Sequence, residues 1–245
     1  MLVPCQSGLL GEKQKWVYWE CPMVDPHVLL AFLWDSVKLE IEPEILHTYW
    51  REAKIRGLPW AEGYDGQHAR IPLRLFGDDA AVGRKCGEKL YAIFLSCPLF
   101  RPKCARQSRW LVWCMRSSLY VGFQSLRPIL ARLTWSLNKA FNEVCNEAGV
   151  KFQVTEIAAD WKFMRDFFCL TTHWNAAAVG RFCHFCRGRR ADMLELVQVR
   201  WRSTVEFINE ACGSDSSPLL LLECFHPTVL QWCELHNCNL GLLWT

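Results

Sequence analysis

Two acidic positions in the sequence could bind a metal ion together. Asp78 and Asp79 follow the apolar run Ile71–Phe76, and Asp160 follows the β-rich run Lys151–Ala158. Two carboxylates held close together repel each other, and a divalent cation such as Mg²⁺ relieves that repulsion. A metal site of this kind can activate water for phosphodiester cleavage. The sequence therefore predicts Asp78 and Asp160 as catalytic carboxylates and as magnesium ligands.

The same residues also fit a purely structural role. Gly77, Asp78 and Asp79 are typical turn formers, and Asp160 could simply end a strand in solvent. A catalytic site of this type also needs a third acidic ligand. The sequence does not rank the candidates for it, which are Glu195, Glu206, Glu210 and Glu223.

A second candidate site is the Cys-x-x-Cys formed by Cys183 and Cys186, whose spacing lets two thiolates bind one structural Zn²⁺. Nearby arginines would favour the thiolate forms and are candidate nucleic-acid contacts: Arg181, Arg187, Arg189 and Arg190. One pair is half of a zinc site. The other ligands could come from His173, Cys169, Cys212, Cys224, His226, His236 or Cys238. Buried reduced thiols, or a redox pair, are the alternatives that stay open.

The elements that must position these residues follow from periodicity. Asp25-Pro26 and Pro43 predict the starts of two helices, so residues 1–66 are interpreted as a helical N-terminal region. Three strand-length apolar runs come next, at Ile71–Phe76, Leu90–Cys97 and Trp110–Met115. An amphipathic helix capped by Ser125 and ended by Gly149 leads to the strand before Asp160.

This order of elements predicts how the sheet is built. A right-handed crossover after three strands returns the fourth strand parallel to the first and beside it, which brings Asp78 and Asp160 to one edge. The expected fold is therefore α/β, with a mixed β-β-β-α-β sheet in residues 67–170 as the first part of the core. Residues 171–245 would hold the Cys-x-x-Cys insertion, within a helical stretch, and a helical C-terminal segment.

Composition limits the class of protein. The chain has 245 residues, 51% of them hydrophobic, and can bury a substantial core. Its apolar runs are far shorter than the ~20 residues that cross a bilayer, so no membrane span is expected. The N-terminus does not match a secretory signal, which favours an intracellular protein. The net charge of +3 permits binding to a polyanion without requiring it.

An ordered set of motifs resembles a known family. The motifs are Pro72–Asp78, Ala159–Lys162, Gly180–Cys186 and Trp232–Gly241. Together they resemble the transposases of CACTA (En/Spm-like) transposable elements, and more closely the transposon-derived protist proteins that look related to them. The resemblance spans roughly Ile71–Gly241, and it depends on the order and spacing of the motifs because each is common by itself.

The resemblance implies a DDE-type transposase with a ribonuclease-H-like core, DNA as partner and a nuclear location. It assigns Asp78 and Asp160 as the first and second catalytic carboxylates, Cys183 with Cys186 as a zinc knuckle, and His236 as the histidine of the last segment. Two departures lower the expected activity. Cys233 stands where the family has an acidic residue, and the chain is expected to be truncated before the helix that carries the third acid.

Two functional hypotheses follow. The first is a fragment or inactive relative of a DDE-type transposase, which would be Mg²⁺-dependent in DNA strand cleavage and transfer if active. The second is a non-catalytic, zinc-dependent module that binds nucleic acid or a protein partner.

Overall fold

The structure is a computed structural model that describes residues 1–7, 15–37, 39, 41–82, 87–104, 107–144, 149–171, 202–213 and 215–232. It is a mixed α/β fold. The strands are β1 (Leu2–Ser7), β2 (Lys15–Glu20), β3 (Arg70–Ala81), β4 (Lys89–Ser96), β5 (Trp110–Arg116), β6 (Lys151–Ala159) and β7 (Leu230–Trp232). The helices are α1 (Pro26–Ser36), α2 (Pro43–Ile55), α3 (Pro59–Glu62), α4 (Phe123–Asn142), α5 (Trp161–Phe168) and α6 (Thr204–Ala211).

A five-stranded mixed sheet in the order β5-β4-β3-β6-β7 forms the centre of the fold. β3, β4 and β5 form an antiparallel meander, and β6 returns parallel to β3 and directly beside it. The connection between β5 and β6 contains α4. The predicted order of three strands, a helix and a parallel fourth strand is therefore confirmed, and β7 extends the sheet parallel to β6.

The pairing of β3 with β6 contains one irregularity. Leu73 pairs with Val154 and Arg74 pairs with Glu156, so Thr155 is an extra residue on β6. A bulge of this type moves the side chains that follow it to the other face of the sheet. Thr155 and Glu156 consequently line the same cleft, although they are consecutive residues.

The helix α4 covers one face of the sheet with an apolar stripe that the sequence predicts. Its buried residues recur at helical spacing, as expected for one face of an amphipathic helix. They include Leu126, Ile129, Leu130, Leu133, Leu137 and Ala140. Burial of each large aliphatic side chain contributes roughly 1.5–3 kcal/mol, so this stripe is a main source of stability.

Helices α2 and α3 cover part of the opposite face. The Tyr49 hydroxyl donates to Thr155 Oγ1 at 2.9 Å, and Trp50 Nε1 donates to the Arg70 carbonyl at 2.8 Å. Trp50, Trp60 and Tyr64 pack ring against ring, with Trp50 and Tyr64 stacked at 4.6 Å between centroids. These contacts fix α2 over β3 and β6.

Four predictions about local structure need correction. The N-terminal region contains α1, α2 and α3 but begins with an antiparallel hairpin of β1 and β2. β3 continues to Ala81, so Asp78 lies within a strand and not after it. Ser125 lies inside α4, where its hydroxyl donates to the Pro4 carbonyl at 2.6 Å, and Gly122 is the N-cap. α4 ends at Asn142, before Gly149.

None of the helices in the described part of the chain has the length and apolar character needed to cross a membrane.

Candidate functional site

Asp78 and Asp160 are neighbours at one edge of the sheet. The last parallel pair between β3 and β6 joins Gly77 to Ala159, and each aspartate is the next residue of its chain segment. Because adjacent strands lie ~4.8 Å apart, the two backbones are close at this point. The structure therefore places the backbones of Asp78 and Asp160 next to each other, although 81 residues separate them in sequence.

Asp78 faces a cleft on the side of the sheet where α2 lies. It lines this cleft together with Arg74 and Phe76, because every second side chain of a strand points to the same face of the sheet. Its Oδ1 accepts a hydrogen bond from the Asp79 amide at 2.8 Å. The alternative interpretation of Gly77-Asp78-Asp79 as a turn is wrong, because all three residues pair with β4.

Asp160 is the N-cap of α5. Its Oδ1 accepts a hydrogen bond from the Phe163 amide at 2.7 Å, and its backbone is extended. A capping aspartate satisfies an amide that has no partner within the helix. The residue is half-buried, so it is more than a strand end in solvent. Capping uses one oxygen of the carboxylate and fixes the side chain in orientation.

The cleft beside Asp78 has a volume of about 980 Å³ and a mixed lining. Three arginines border it, Arg56, Arg74 and Arg109, together with the carboxylates of Glu52 and Glu156. Arg74 forms an ion pair with Glu156 across β3 and β6. The Arg109 guanidinium lies over the Phe76 ring at 5.5 Å. Aromatic rings complete the lining: Tyr49, Trp60, Phe76 and Phe94. Cationic and aromatic groups together are suited to a phosphate-bearing ligand with flat rings.

Asp79 faces the opposite side of the sheet and belongs to a separate polar cluster. Lys89 Nζ donates to its two carboxylate oxygens at 2.9 and 3.0 Å, and Lys162 Nζ lies 3.6 Å away. Lys162 also donates to the Tyr91 hydroxyl. This cluster joins β3, β4 and the first turn of α5, which Asp160 caps.

A half-buried acid, Asp166, lies next to that cluster. The Tyr120 hydroxyl donates to Asp166 Oδ2 at 3.1 Å, and the Tyr91 and Tyr120 rings are 4.5 Å apart. Burial raises the pKa of the Asp166 carboxyl, although the Tyr120 hydrogen bond and nearby cations oppose the rise. Burial and the adjacent carboxylate raise the pKa of Tyr120 as well. These groups tie α5 to the sheet.

The candidates for a third acidic ligand have other roles where the structure describes them. Glu206 completes a capping box with Ser203 at the start of α6, and Glu210 pairs with the buried Arg202 at 3.1 Å. Glu223 is exposed, and Glu195 lies outside the described residues. Within the described ranges, no group of three or more His, Cys, Asp or Glu side chains could hold a metal ion.

The predicted zinc site and arginine cluster lie outside the described residues. This applies to Cys183 and Cys186, to the arginines at 181, 187, 189 and 190, and to His173, His236 and Cys238. Four of the further ligand candidates are described. Gly213 donates to the Cys169 carbonyl at 2.7 Å, which places Cys169 beside Cys212, and burial raises the pKa of both thiols, to about 11 and about 12. Cys224 donates to the Val154 carbonyl, and His226 Nδ1 bonds to Thr228.

The cleft arginines Arg56 and Arg74 were not predicted from the sequence. Arg74 had a recognisable signal, since it is a single charge within the apolar run Pro72–Phe76. Arg56 had none, because its place beside the sheet depends on how α2 packs. Arg109 belongs to the basic stretch between β4 and β5.

Comparison of the chain with protein-family models, curated proteins and solved structures gives no match. The resemblance to CACTA transposases therefore depends on the motifs and their order.

Proposed function

We propose that the chain is a fragment or an inactive relative of a DDE-type transposase with a ribonuclease-H-like core. Its Asp78–Asp160 edge would bind a divalent cation beside a cleft for nucleic acid. The observation that carries the proposal is the parallel pair Gly77–Ala159, because an aspartate is the next residue of the chain after each member of the pair. The order of three strands, the helix α4 and a fourth strand β6 parallel to β3 is the β-β-β-α-β arrangement expected for a ribonuclease-H-like core.

The donor set fits a hard cation. Both residues offer carboxylate oxygens, which Mg²⁺ and Mn²⁺ prefer over nitrogen or sulfur. Asp160 uses Oδ1 to cap α5, and this bond aims the side chain without neutralising its charge. Bound Mg²⁺ would supply Lewis-acid activation of a phosphodiester and of the attacking water.

The cleft supplies the contacts for a nucleic-acid strand. Arg56 and Arg109 are exposed cations that can neutralise phosphates, and Arg74 adds a third beside Glu156. Phe76 and Tyr49 offer ring faces on which bases can stack. DNA is the substrate class that the family resemblance implies.

The incomplete acid set is the reason for proposing an inactive relative. Within the described ranges, no group of three or more His, Cys, Asp or Glu side chains could hold a metal ion, and Cys233 stands where the family pattern has an acidic residue. Two carboxylates bind Mg²⁺ weakly and orient the attacking water less well than three. We therefore expect cation binding and DNA binding with little or no cleavage.

Binding of Mn²⁺ followed by electron paramagnetic resonance tests the metal site. Wild type should bind one ion saturably, and Asp78→Asn and Asp160→Asn should each bind at least about tenfold more weakly. Asparagine is a good N-cap, so Asp160→Asn keeps α5 capped while removing the charge. Asp79→Asn, on the other face, is the matched control and should bind as wild type does. Equal Mn²⁺ affinity in wild type and Asp160→Asn would refute the proposal.

A nicking assay on supercoiled DNA in Mg²⁺ separates an active enzyme from a relic. Nicking by wild type that exceeds nicking by Asp160→Asn would establish activity, and equal rates support the inactive relative. DNA affinity should fall steeply with salt and should weaken in Arg109→Gln. Affinity that does not depend on salt would contradict a phosphate-binding cleft.

The zinc-dependent module is the second candidate function, and the incomplete acid set favours it over an active nuclease. It predicts about one zinc ion per chain, bound by Cys183 and Cys186. Metal analysis of wild type beside Cys183→Ser tests it. Protein that is purified without chelator and contains no zinc would exclude this function.

A further inference from the structure

The N-terminal hairpin has one covered edge and one free edge. β1 packs against α4, on the face of the main sheet opposite the cleft, and the Ser125 hydroxyl of α4 donates to the Pro4 carbonyl at the outer edge of β1. Among the described residues, the hairpin sheet contains β1 and β2 alone, so no strand pairs with the outer edge of β2. β2 is therefore the edge at which another strand could be added.

The register of the hairpin shows which backbone groups this free edge exposes. The Cys21 amide donates to the Met1 carbonyl at 2.8 Å, so Cys21 directs its backbone groups towards β1. Residues of an antiparallel strand alternate between its two edges in the direction of these groups. Trp16, Tyr18 and Glu20 therefore direct their N–H and C=O groups away from β1, where an added antiparallel strand could pair with them.

The side chains of β2 do not protect this edge. Proteins usually block a free edge with a central lysine, a proline or a bulge. β2 has none of these between Lys15 and Glu20, and its register with β1 is continuous. Three large rings stand in solvent instead, with exposed fractions of 58% for Trp16, 75% for Tyr18 and 55% for Trp19. Several exposed rings on one strand mark an interaction surface.

We propose that β2 pairs with β2 of a second copy of the chain, antiparallel and about a two-fold axis. The outward backbone groups allow a register in which Trp16 lies opposite the partner's Tyr18, and Tyr18 lies opposite the partner's Trp16. Each of these pairs exchanges both of its N–H···O=C bonds. Val17 then lies beside the partner's Val17 at the axis.

The side chains of β2 are self-complementary in this register. Trp16 and the partner's Tyr18 share the solvent-facing side of the hairpin, and aromatic pairs directly opposite each other stabilise a sheet. On the other side, Lys15 lies opposite the partner's Trp19, where an ammonium group can contact the face of an indole ring. No like charges oppose each other within residues 15–19. A second copy is favoured as the occupant because the symmetry forms each of these contacts twice.

The area of the exposed rings is close to what a specific interface needs. The six rings of two copies have roughly 600–900 Å² in solvent, since a whole aromatic side chain covers about 150–250 Å². The Lys15 side chains and the strand backbones bring the total near the ~1,000 Å² of a small specific interface. Because the outer edge of β1 is covered, each copy offers one edge, and the assembly closes as a dimer.

Sedimentation velocity of the full chain tests the proposal over roughly 1–300 μM, a range suited to the weak affinity of a small interface. Wild type should change from monomer to dimer, without larger species. Hydrogen–deuterium exchange at low and high concentration should show that the amides of residues 15–20 become protected as the dimer forms. A chain that stays monomeric over the whole range, or one that grows into polymers, would overturn the proposal.

Substitutions then locate the interface. Trp16→Ala should weaken dimerisation about tenfold or more, because the lost ring counts twice in a symmetric interface. Phe32→Ala is the matched control, since Phe32 on α1 has the same exposed fraction of 58%, and it should dimerise as wild type does. Tyr18→Pro removes an N–H that does not bond to β1, and should prevent dimerisation while the chain stays folded by circular dichroism. Dimers as tight as wild type in Trp16→Ala would place the interface elsewhere and refute the proposal, whether or not Tyr18→Pro folds.

Discussion

Asp78 and Asp79 are consecutive residues of β3 that face opposite sides of the sheet. Asp78 lines the cleft beside α2, and Asp79 forms ion pairs with Lys89 and Lys162 on the side of α5. Because successive side chains of a strand point to opposite faces of the sheet, these two aspartates have different surroundings and different roles. Asp78 is the proposed metal ligand, and Asp79 connects the sheet to the helix that Asp160 caps.

This division predicts different effects of the same substitution at the two positions. Asp79→Asn should lower the free energy of unfolding by about 0.5–1 kcal/mol, because it removes two partly exposed ion pairs. It should leave the stabilisation by Mn²⁺ intact. Asp78→Asn should remove most of the stabilisation by Mn²⁺, because a ligand that binds only the folded state stabilises it less when its affinity falls. Urea unfolding with and without Mn²⁺ measures both effects. The Mn²⁺ concentration should be on the order of 5 mM, because two carboxylates are expected to bind the ion weakly. Loss of the Mn²⁺ effect in Asp79→Asn instead would contradict the assignment.

Gly77 allows α5 to approach the sheet closely. A Cβ atom at this position would lie 2.5 Å from Phe167 Cζ and 2.8 Å from Phe163 Cδ1, and both rings are buried. Gly77→Ala should therefore destabilise the protein by about 1–3 kcal/mol through overpacking. Gly63→Ala is the matched control, because a Cβ there meets nothing within 4 Å, and it should stay within about 0.5 kcal/mol of wild type.

Thermal or urea unfolding of the two variants measures the difference. Phe167→Leu in the Gly77→Ala background should recover part of the loss, since a smaller side chain relieves the contact. A Gly77→Ala variant as stable as Gly63→Ala would show that α5 is not held against β3 as described.

The ion pair between Asp25 and Arg132 predicts a pH-dependent contribution to stability. Arg132 Nε donates to Asp25 Oδ1 at 2.8 Å, and this bond lowers the pKa of the Asp25 carboxyl. A carboxyl whose pKa is lower in the folded state stabilises above its unfolded pKa of ~3.9 and loses that contribution as the pH falls through the folded value. Asp25→Asn should cost about 0.5–1 kcal/mol at pH 7.

Urea unfolding at pH 7 and at acidic pH measures this effect. The difference between wild type and Asp25→Asn should shrink as the pH falls below about 4. In the Arg132→Gln background, Asp25→Asn should have little further effect at pH 7. A difference that persists unchanged in acid would mean that Asp25 acts through something other than its charge.

Much of the fold could be predicted because it depends on local periodicity. The apolar runs of β3, β4 and β5 and the stripe of α4 each reveal their element, and the order of elements fixes β6 beside β3. The hairpin of β1 and β2 could not be predicted in this way. The side chains of β2 are exposed or half-buried on both faces, so the strand lacks the apolar and polar alternation that marks a half-buried strand.

The candidate site was only partly predictable for a related reason. The proximity of Asp78 and Asp160 follows from the order of the strands in the sheet. The cleft, in contrast, depends on the bulge at Thr155 and on the packing of α2, which are long-range features. A bulge changes the face of every later residue, and no sequence pattern identified this one.

Two hydroxyls one half-turn apart on α4 provide a final prediction. Thr134 is 4% exposed, and its Oγ1 has no hydrogen-bond partner in the described part of the chain. Ser136 is fully buried, and its Oγ accepts the His27 amide at 3.0 Å and bonds to His27 Nδ1 at 2.8 Å. A buried hydroxyl without a partner costs free energy, whereas a bonded one stabilises its neighbours.

Thr134→Val keeps the shape of the side chain and removes the unpaired group, so it should raise the free energy of unfolding by about 1 kcal/mol. Ser136→Ala should lower it by about 1–3 kcal/mol, because the His27 amide loses its acceptor. Urea unfolding of both variants beside wild type gives the two values. The diagnostic result is a change in the free energy of unfolding that has opposite signs in the two variants. Substitutions that changed only helix propensity would differ from wild type by a few tenths of a kcal/mol. A destabilising Thr134→Val would instead reveal that the hydroxyl has a partner, such as a buried water molecule.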